Sequence, residues 1–231
     1  MTTRNALIGL AAAGALLLSA APASAWTASA SNGTVTVTGL TGEKHDAIVE
    51  GAAGAATASN GKSDSVVVTD KAAPVTGVGS NCTRIADAAV RCATASGVSQ
   101  VTVDYRAGTA QPYYNSADDV IDVPVTSSPF SYNAMTGAGN DDVTVYGPVG
   151  ASASLGDGND YILVSISGTT PVTPPGGTIE GGVGGDYMRL VDRRHETPVC
   201  GPADWWTDLL QSDPDENSAD CDLSEHPTLP N

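Results

Sequence analysis

The sequence predicts an all-β protein, a parallel β-roll or β-helix-like solenoid that ends in an irregular, disulfide-tied C-terminal cap. The composition includes 26 Gly and only one Phe, and its many Val and Thr residues favour strands over helices. Helix signals are nearly absent. Three glycine-rich nonapeptides recur late in the chain, and such repeats are typical of a coil that stacks short strands.

The N-terminus carries an export signal. An apolar run at residues 6–21 follows Arg4 and precedes Ala23-Ser24-Ala25, a small-residue cleavage pattern. Residues 1–25 are therefore predicted to be a secretory signal peptide, which makes the protein extracellular or bound to the cell surface. The alternative is a membrane anchor, but the run is short for a spanning helix. We expect no stable membrane span after cleavage.

Residues 26–130 are predicted to form a degenerate β-repeat region. Val and Thr alternate in TVTVTG at residues 34–39, and valine-rich stretches at 66–68 and 98–103 indicate further strands. Fainter glycine turns interrupt them, and these turns are poor candidates for binding ions. We interpret His45, which lies in one such turn among polar neighbours, as a solvated loop residue.

The four cysteines are expected to be oxidised in an exported chain, and four cysteines allow three connectivities. Their spacing favours neighbour pairs, Cys82 with Cys92 and Cys200 with Cys221. By the loop-entropy argument each bridge contributes about 3 kcal/mol. A metal or redox site is the alternative, but there is no C-x-x-C motif and the three histidines are scattered.

The nonapeptides fit the pattern G-G-x-G-x-D-x-U-x, in which U is aliphatic. They are TGAGNDDVT at residues 136–144, LGDGNDYIL at 155–163 and GGVGGDYMR at 181–189. Their aspartates, Asp141, Asp160 and Asp186, are 19 and 26 residues apart. Residues 131–194 are therefore predicted to be the calcium-binding repeat region.

Two nonapeptides make one coil of about 18 residues, so Asp141 and Asp160 are predicted to lie on one edge, one coil apart. A proline-rich loop at residues 170–177 lengthens the second step, and we expect it to set Asp186 apart from the other two. The aliphatic positions should stack in the narrow core. These positions are Val143, Ile162 and Met188.

The turns contain groups that suit Ca²⁺, which takes about six to eight oxygen ligands. Glycines allow a positive φ and inward carbonyls; they are Gly137, Gly139, Gly156, Gly158, Gly182 and Gly184. Asp141, Asp160 and Asp186 are the predicted carboxylate ligands, with Asp157 as an additional one. The alternative is that the turns are purely structural, since Gly-Asn-Asp and Asp-Gly-Asn are favoured turn sequences.

These residues also carry a family resemblance. The chain resembles RTX-type calcium-binding β-roll proteins, and more closely small exported actinobacterial proteins with the same GxGND repeats. Further matching segments are TVTVTG at residues 34–39, VTVD at 101–104, VCGPAD at 199–204 and ADCD at 219–222. The resemblance implies a secreted calcium-binding β-roll or β-helix, with Asp141, Asp160 and Asp186 at the turn-aspartate positions.

The segment 195–231 is rich in acidic residues and has no Lys or Arg. We predict that it is an acidic, disulfide-bonded cap, because the last coil of a solenoid needs a polar cover. Residues 203–211 are the one helix candidate. Trp205 and Trp206 within it are expected to pack on the last coil, and the alternative is that they bind a partner.

A formal net charge of −16 argues against a nucleic-acid partner, which requires a basic surface, and favours cations. Neither G-x-S-x-G nor H-E-x-x-H occurs, and we predict no enzymatic activity. The predicted function is a secreted, non-catalytic calcium-binding β-roll protein that holds Ca²⁺ between stacked Gly/Asp turns. One alternative is a structural or adhesive cell-surface protein with purely scaffold repeats. Another is a carbohydrate-active β-helix.

Overall fold

A computed structural model describes residues 25–39, 43–52, 62–106, 117–124, 130–146, 150–165, 177–191, 196–202, 207–213 and 220–225. Within these ranges the chain forms eighteen β-strands and no helix. The strands are β1 (Trp26–Ser31), β2 (Thr34–Gly39), β3 (Asp46–Ala52), β4 (Ser65–Asp70), β5 (Val75–Val78), β6 (Cys82–Ala86), β7 (Ala89–Cys92), β8 (Gln100–Asp104), β9 (Val120–Val123), β10 (Ser131–Ala138), β11 (Asp142–Tyr146), β12 (Ala151–Asp157), β13 (Tyr161–Ser165), β14 (Thr178–Val183), β15 (Tyr187–Leu190), β16 (Thr197–Val199), β17 (Leu209–Ser212) and β18 (Leu223–Glu225). The predicted all-β class is confirmed.

The strands form two mixed sheets, one of eight strands and one of ten. From β8 to β17, consecutive strands alternate between the sheets, and each pairs in parallel with the next strand but one. The first sheet therefore contains β8, β10, β12, β14 and β16 in order, and the second contains β9, β11, β13, β15 and β17. Because each successive pair of strands repeats the same arrangement, the turns that join the two sheets lie next to one another along the stack.

The N-terminal part of both sheets contains the antiparallel pairs, although β1 also pairs in parallel with β5. Strands β1 and β2 form a hairpin whose turn residues, Asn32 and Gly33, have φ values of 50° and 85°, as a twisted two-residue turn requires. In the second sheet β3 pairs with β4, β4 with β7, and β7 with β6. The outermost strand β6 has a register shift between Arg84 and Ala86, and bulges of this kind discourage pairing with another chain.

The core lies between the two sheets and follows the alternation of side chains along each strand. Val and Thr alternate in β2, so that Val35 and Val37 are fully buried while the three threonines of the strand are half-buried. Val143, Ile162 and Met188 are neighbours in register on successive parallel strands, and all three are fully buried. The predicted stack of aliphatic core residues is confirmed.

Of the predictions for the chain ends, one differs from the structure and others concern residues outside the described ranges. The helix predicted over residues 203–211 is wrong at its end, because Leu209 begins strand β17, where Leu210 is buried in the core. Trp205 and Trp206 lie outside the described residues, as does all of the predicted signal peptide except Ala25. Since the described ranges contain no helix, they contain none long and apolar enough to cross a membrane.

Both predicted disulfides are present. Cys82 pairs with Cys92 across the β6–β7 hairpin, and Cys200 pairs with Cys221, which links the end of β16 to the segment before β18. The two bridges close loops of 10 and 21 residues and indicate an oxidising compartment.

Removal of either bridge is expected to lower the free energy of unfolding by about 3 kcal/mol, because the unfolded chain regains loop freedom. The double replacement of Cys200 and Cys221 with alanine should cost slightly more than that of Cys82 and Cys92, since its loop is longer. Urea denaturation of both variants beside the oxidised parent checks this. Equal stability of all three proteins would contradict the expectation.

Candidate functional site

The three repeat turns lie at one edge of the stack, where β10, β12 and β14 of the first sheet pass to β11, β13 and β15 of the second. Parallel pairing aligns them: Gly137 is opposite Gly156, and Gly156 is opposite Gly182. The six predicted turn glycines all have a positive φ, between 110° and 155°. An L side chain rarely adopts this backbone conformation, so the repeat glycines set the shape of the turn.

The glycines form two columns that run along the stack. An added Cβ on Gly156 would lie 1.7 Å from the carbonyl oxygen of Gly137, and one on Gly182 would lie 1.8 Å from that of Gly156. In the second column, a Cβ on Gly158 would lie 1.5 Å from the carbonyl oxygen of Gly139. Successive turns thus pack backbone on backbone, and this close approach requires glycine independently of φ.

The turn aspartates form a continuous column, which we call the aspartate ladder. It consists of Asp119, Asp141, Asp160, Asp186 and Asp208. In each step one carboxylate Oδ1 accepts the backbone N–H of the aspartate in the preceding turn. Asp160 accepts from Asp141 at 2.8 Å, and Asp186 accepts from Asp160 at 3.0 Å. All five side chains are buried, with exposures between 1% and 4%.

Each predicted carboxylate can now be placed. Asp141 and Asp160 lie on one edge in successive turns, and Asp186 occupies the same ladder position as the other two. The expectation that the 26-residue step sets Asp186 apart is wrong in this respect, because the lengthening lies between β13 and β14, away from the turn. Asp157 is outside the ladder: it is the half-buried last residue of β12, and its carbonyl accepts the Gly139 N–H.

The sequence reasoning missed two ladder residues, Asp119 and Asp208. Neither is preceded by the glycine pattern, but each has an aliphatic residue two positions later, Ile121 and Leu210, as the repeat aspartates do. That spacing places the carboxylate at the turn and the aliphatic side chain in the core of the following strand. An Asp-x-aliphatic pattern at steps of 22 residues was the available signal.

A second, exposed ladder runs beside the first. Asp118 Oδ1 accepts the N–H of Asn140, Asn140 Oδ1 accepts that of Asn159, and Asn159 Oδ1 accepts that of Gly185, each at 2.9 Å. The Asn-Asp pair of the repeat therefore supplies two acceptors per turn. The asparagine accepts an exposed N–H and the aspartate accepts a buried one. These hydrogen bonds account for the Asn-Asp composition of the turn without a ligand.

The ladder carboxyls are in an environment that disfavours charge. Burial raises the pKa of Asp160 to about 8, with hydrogen bonding from Asp141 opposing the shift and the charges of Asp141, Asp186 and Asp157 adding to it. Burial likewise raises the pKa of Asp119 to about 7. The pKa of Asp141 is also raised by burial, against the lowering effect of the Thr136 hydroxyl and the backbone of Asp119. The protonated form of Asp160 is therefore favoured near neutral pH.

The turns fit a Ca²⁺ shell poorly in this arrangement. The Oδ1 atoms are already used by backbone N–H groups, and the side chains at the first position of two repeats, Thr136 and Leu155, are buried. In the described ranges, no group of three or more His, Cys, Asp or Glu side chains could hold a metal ion. The Oδ2 atoms of Asp141 and Asp160 are buried and have no hydrogen-bond partner. One such oxygen per turn is far below about six to eight ligands.

His45 continues the ladder at its N-terminal end, and its interpretation as a solvated loop residue is wrong. The side chain is fully buried, with Nδ1 at 2.7 Å from Asp70 Oδ2. The backbone N–H of His45 donates to Asp119 Oδ1 at 2.8 Å, as the ladder aspartates do to one another. The polar neighbours in sequence gave no sign of this, because the partner is 25 residues away.

No protein-family model matches this chain, and no curated protein or solved structure is similar enough to it to count as a match. The turns and their two ladders are therefore the features from which a function can be inferred. These features provide a stacked edge of hydrogen-bonded carboxyl and amide groups over a narrow aliphatic core.

Proposed function

We propose that this chain is a non-catalytic, exported scaffold protein of the structural or adhesive kind, built as a parallel β-roll or β-helix-like solenoid. The observation that carries the proposal is the aspartate ladder, because each turn is closed by the protein's own atoms. Alternation of strands between two sheets, with parallel pairing to the next strand but one, supports the solenoid arrangement. The two disulfides support export to an oxidising compartment.

A ladder of this kind stabilises the stack through the backbone groups it satisfies. A buried N–H without an acceptor costs about 1–3 kcal/mol, and the ladder supplies acceptors to Asp119, Asp141 and Asp160. In the protonated state the carboxyls keep their acceptor oxygen and avoid mutual repulsion. The repeats then act as a rigid rod that displays whatever surface the protein uses for contact.

Calcium binding is the second candidate, and one observation favours it. The Oδ2 atoms of Asp141 and Asp160 are buried without a hydrogen-bond partner, and they lie one turn apart on the same edge. A cation between them would compensate the charge of two carboxylates. Completing its shell requires further oxygens, so the turns would have to rearrange around the ion.

Thermal unfolding in EGTA and in millimolar Ca²⁺ separates the two functions. The scaffold proposal predicts a midpoint that is the same in both, for the parent and for Asp160→Asn. A matched control is Asp142→Asn, which removes a neighbouring exposed charge outside the ladder. Magnesium at the same concentration controls for general screening.

If Ca²⁺ instead raises the midpoint of the parent and of Asp142→Asn but leaves Asp160→Asn unchanged, the calcium function is supported and the ion-free scaffold is rejected. The midpoint shift grows with ligand concentration relative to the dissociation constant. A Ca²⁺ titration therefore also yields the affinity.

A further inference from the structure

His45 stands where the later turns have an aspartate. Asp46 is in register with Val120, and Val120 with Asp142, so His45 is at the ladder level of Asp119 and Asp141. The backbone of His45 follows the ladder pattern on both sides, since its carbonyl accepts the Val120 N–H at 2.9 Å. A side chain that can carry a positive charge thus begins a column of buried carboxyls.

The imidazole is bound by a carboxylate that is itself fully held in place. Asp70 Oδ1 accepts the N–H groups of Asp46, Ala72 and Ala73 at 2.9–3.1 Å, and Oδ2 is 2.7 Å from His45 Nδ1. With this number of donors Asp70 acts as an acceptor, which places a proton on Nδ1. Hydrogen bonds to a charged form stabilise that form.

Five chain segments meet at this imidazole. The ring stacks on Tyr105, which follows β8, with centroids 4.1 Å apart and planes at 15°. On β2, a Cβ on Gly39 would lie 2.4 Å from Nε2, so this face is closed by bare backbone. Asp70 ends β4, and Asp119 precedes β9. The imidazole therefore lies at the junction between the antiparallel N-terminal strands and the parallel stack.

The titratable groups that face the imidazole are almost all acidic. Asp70 and Tyr105 contact the ring, Asp119 binds its backbone, and Asp46 adjoins it; Asp141 is one ladder step further. Lys71 is a described cation beside them, and it pairs with Asp46 at 3.3 Å on the surface. Glu43 and Lys44 precede His45 in sequence, and their charges are opposite. The Asp70 carboxylate favours an imidazolium at this position, against the cost of burying its charge.

We propose that His45 is a pH-sensitive clamp, whose imidazolium holds the antiparallel N-terminal strands to the parallel stack and whose deprotonation loosens that junction. The clamp is fully formed when the imidazole carries both protons. It weakens as rising pH removes the second proton, because Asp70 then faces a neutral ring in a buried site. The proposal does not depend on whether the ladder aspartates bind an ion.

The imidazole can be observed directly by ¹H–¹⁵N correlation NMR of the full chain, since only three histidines are present. His45→Asn identifies the signal and keeps an N–H donor for Asp70 without the charge. We expect the His45 ring to be doubly protonated at about pH 7.5, where free histidine is mostly neutral. A ring that is neutral at that pH would overturn the proposal.

Hydrogen exchange, corrected for intrinsic rates, provides the structural readout. Between about pH 7 and pH 9.5, a range that ends well above the usual histidine titration, protection of β3 and β4 amides in the parent should fall at least tenfold relative to β13 amides. In His45→Asn this pH dependence should be absent. A parent in which β3, β4 and β13 lose protection together, or a variant that retains the dependence, contradicts the clamp. If His45→Asn does not fold, replacing His195 and His226 identifies the His45 signal of the parent by elimination.

Discussion

Replacing Gly158 with alanine is expected to destabilise the protein by about 4 kcal/mol or more, within the range of severe single substitutions. The new Cβ would lie 1.5 Å from the Gly139 carbonyl oxygen, and Gly158 has a φ of 155°. The Cβ meets a backbone oxygen, so no flexible side chain can move aside. Relief requires β10 and β12 to separate locally, which breaks ladder hydrogen bonds.

Gly185→Ala is the matched control in the neighbouring turn. Gly185 does not have a positive φ, and its N–H, which donates to Asn159 Oδ1, is retained by alanine. We expect its stability to stay within about 0.5 kcal/mol of the parent. Chemical denaturation of both variants measures the difference. A similarly small effect of Gly158→Ala would show that successive turns do not pack backbone on backbone in solution.

Local sequence signals were sufficient for the strands and the bridges. The alternation of Val and Thr in β2 predicts its two faces, because strand side chains alternate with a period of two. The short spacing of Cys82 and Cys92 also predicts a bridge across a hairpin, because both cysteines lie within one strand-turn-strand unit. Val143, Ile162 and Met188 were identified by their fixed place after the turn aspartate, and all are in the core.

Features that depend on distant partners could not be predicted in the same way. His45 is buried because Asp70 and Asp119, 25 and 74 residues away, accept its N–H groups, and nothing in its own neighbourhood signals them. Leu209 and Leu210 suit a short helix or a strand equally, and the decision is made by pairing with Tyr187 and Met188 of β15. The glycine pattern located the turns. The hydrogen bonds that join their aspartates into a ladder depend on the register between strands, which the pattern does not give.

Lowering the pH from about 8 to about 5 in EGTA is expected to raise the free energy of unfolding by several kcal/mol, opposite to the usual acid destabilisation. Burial raises the pKa of Asp160 from 3.8 to about 8, and that of Asp119 from 3.8 to about 7. Between those values the folded protein binds more protons than the unfolded chain. For these groups stability is therefore greatest below about pH 4, falls progressively as the pH rises, and stops falling above the folded pKa values of about 7 and 8.

Asp160→Asn isolates the contribution of one ladder carboxyl. The amide keeps an Oδ1 acceptor for the Asp141 N–H and cannot ionise, so below about pH 4, where the carboxyl is protonated in both states, the variant should be about as stable as the parent. At pH 8 it should be more stable, and its stability should depend less on pH. Asp160→Ala removes the acceptor as well as the charge, so it should be about 2 kcal/mol less stable than Asp160→Asn at either pH. Urea denaturation at several pH values measures all three proteins, and an unchanged slope in Asp160→Asn would contradict the ladder assignment.

The sign of the pH dependence also distinguishes a hydrogen-bonded ladder from an ion-bound one. A bound Ca²⁺ requires deprotonated carboxylates, so protons compete with it, and stability in saturating Ca²⁺ would rise with pH. A ladder closed by protein atoms loses stability with rising pH whether or not Ca²⁺ is present. His45 contributes in the same direction in both cases, and the difference between the parent and Asp160→Asn removes that contribution. A slope in Ca²⁺ that reverses in the parent but not in Asp160→Asn would assign the ion to this ladder step.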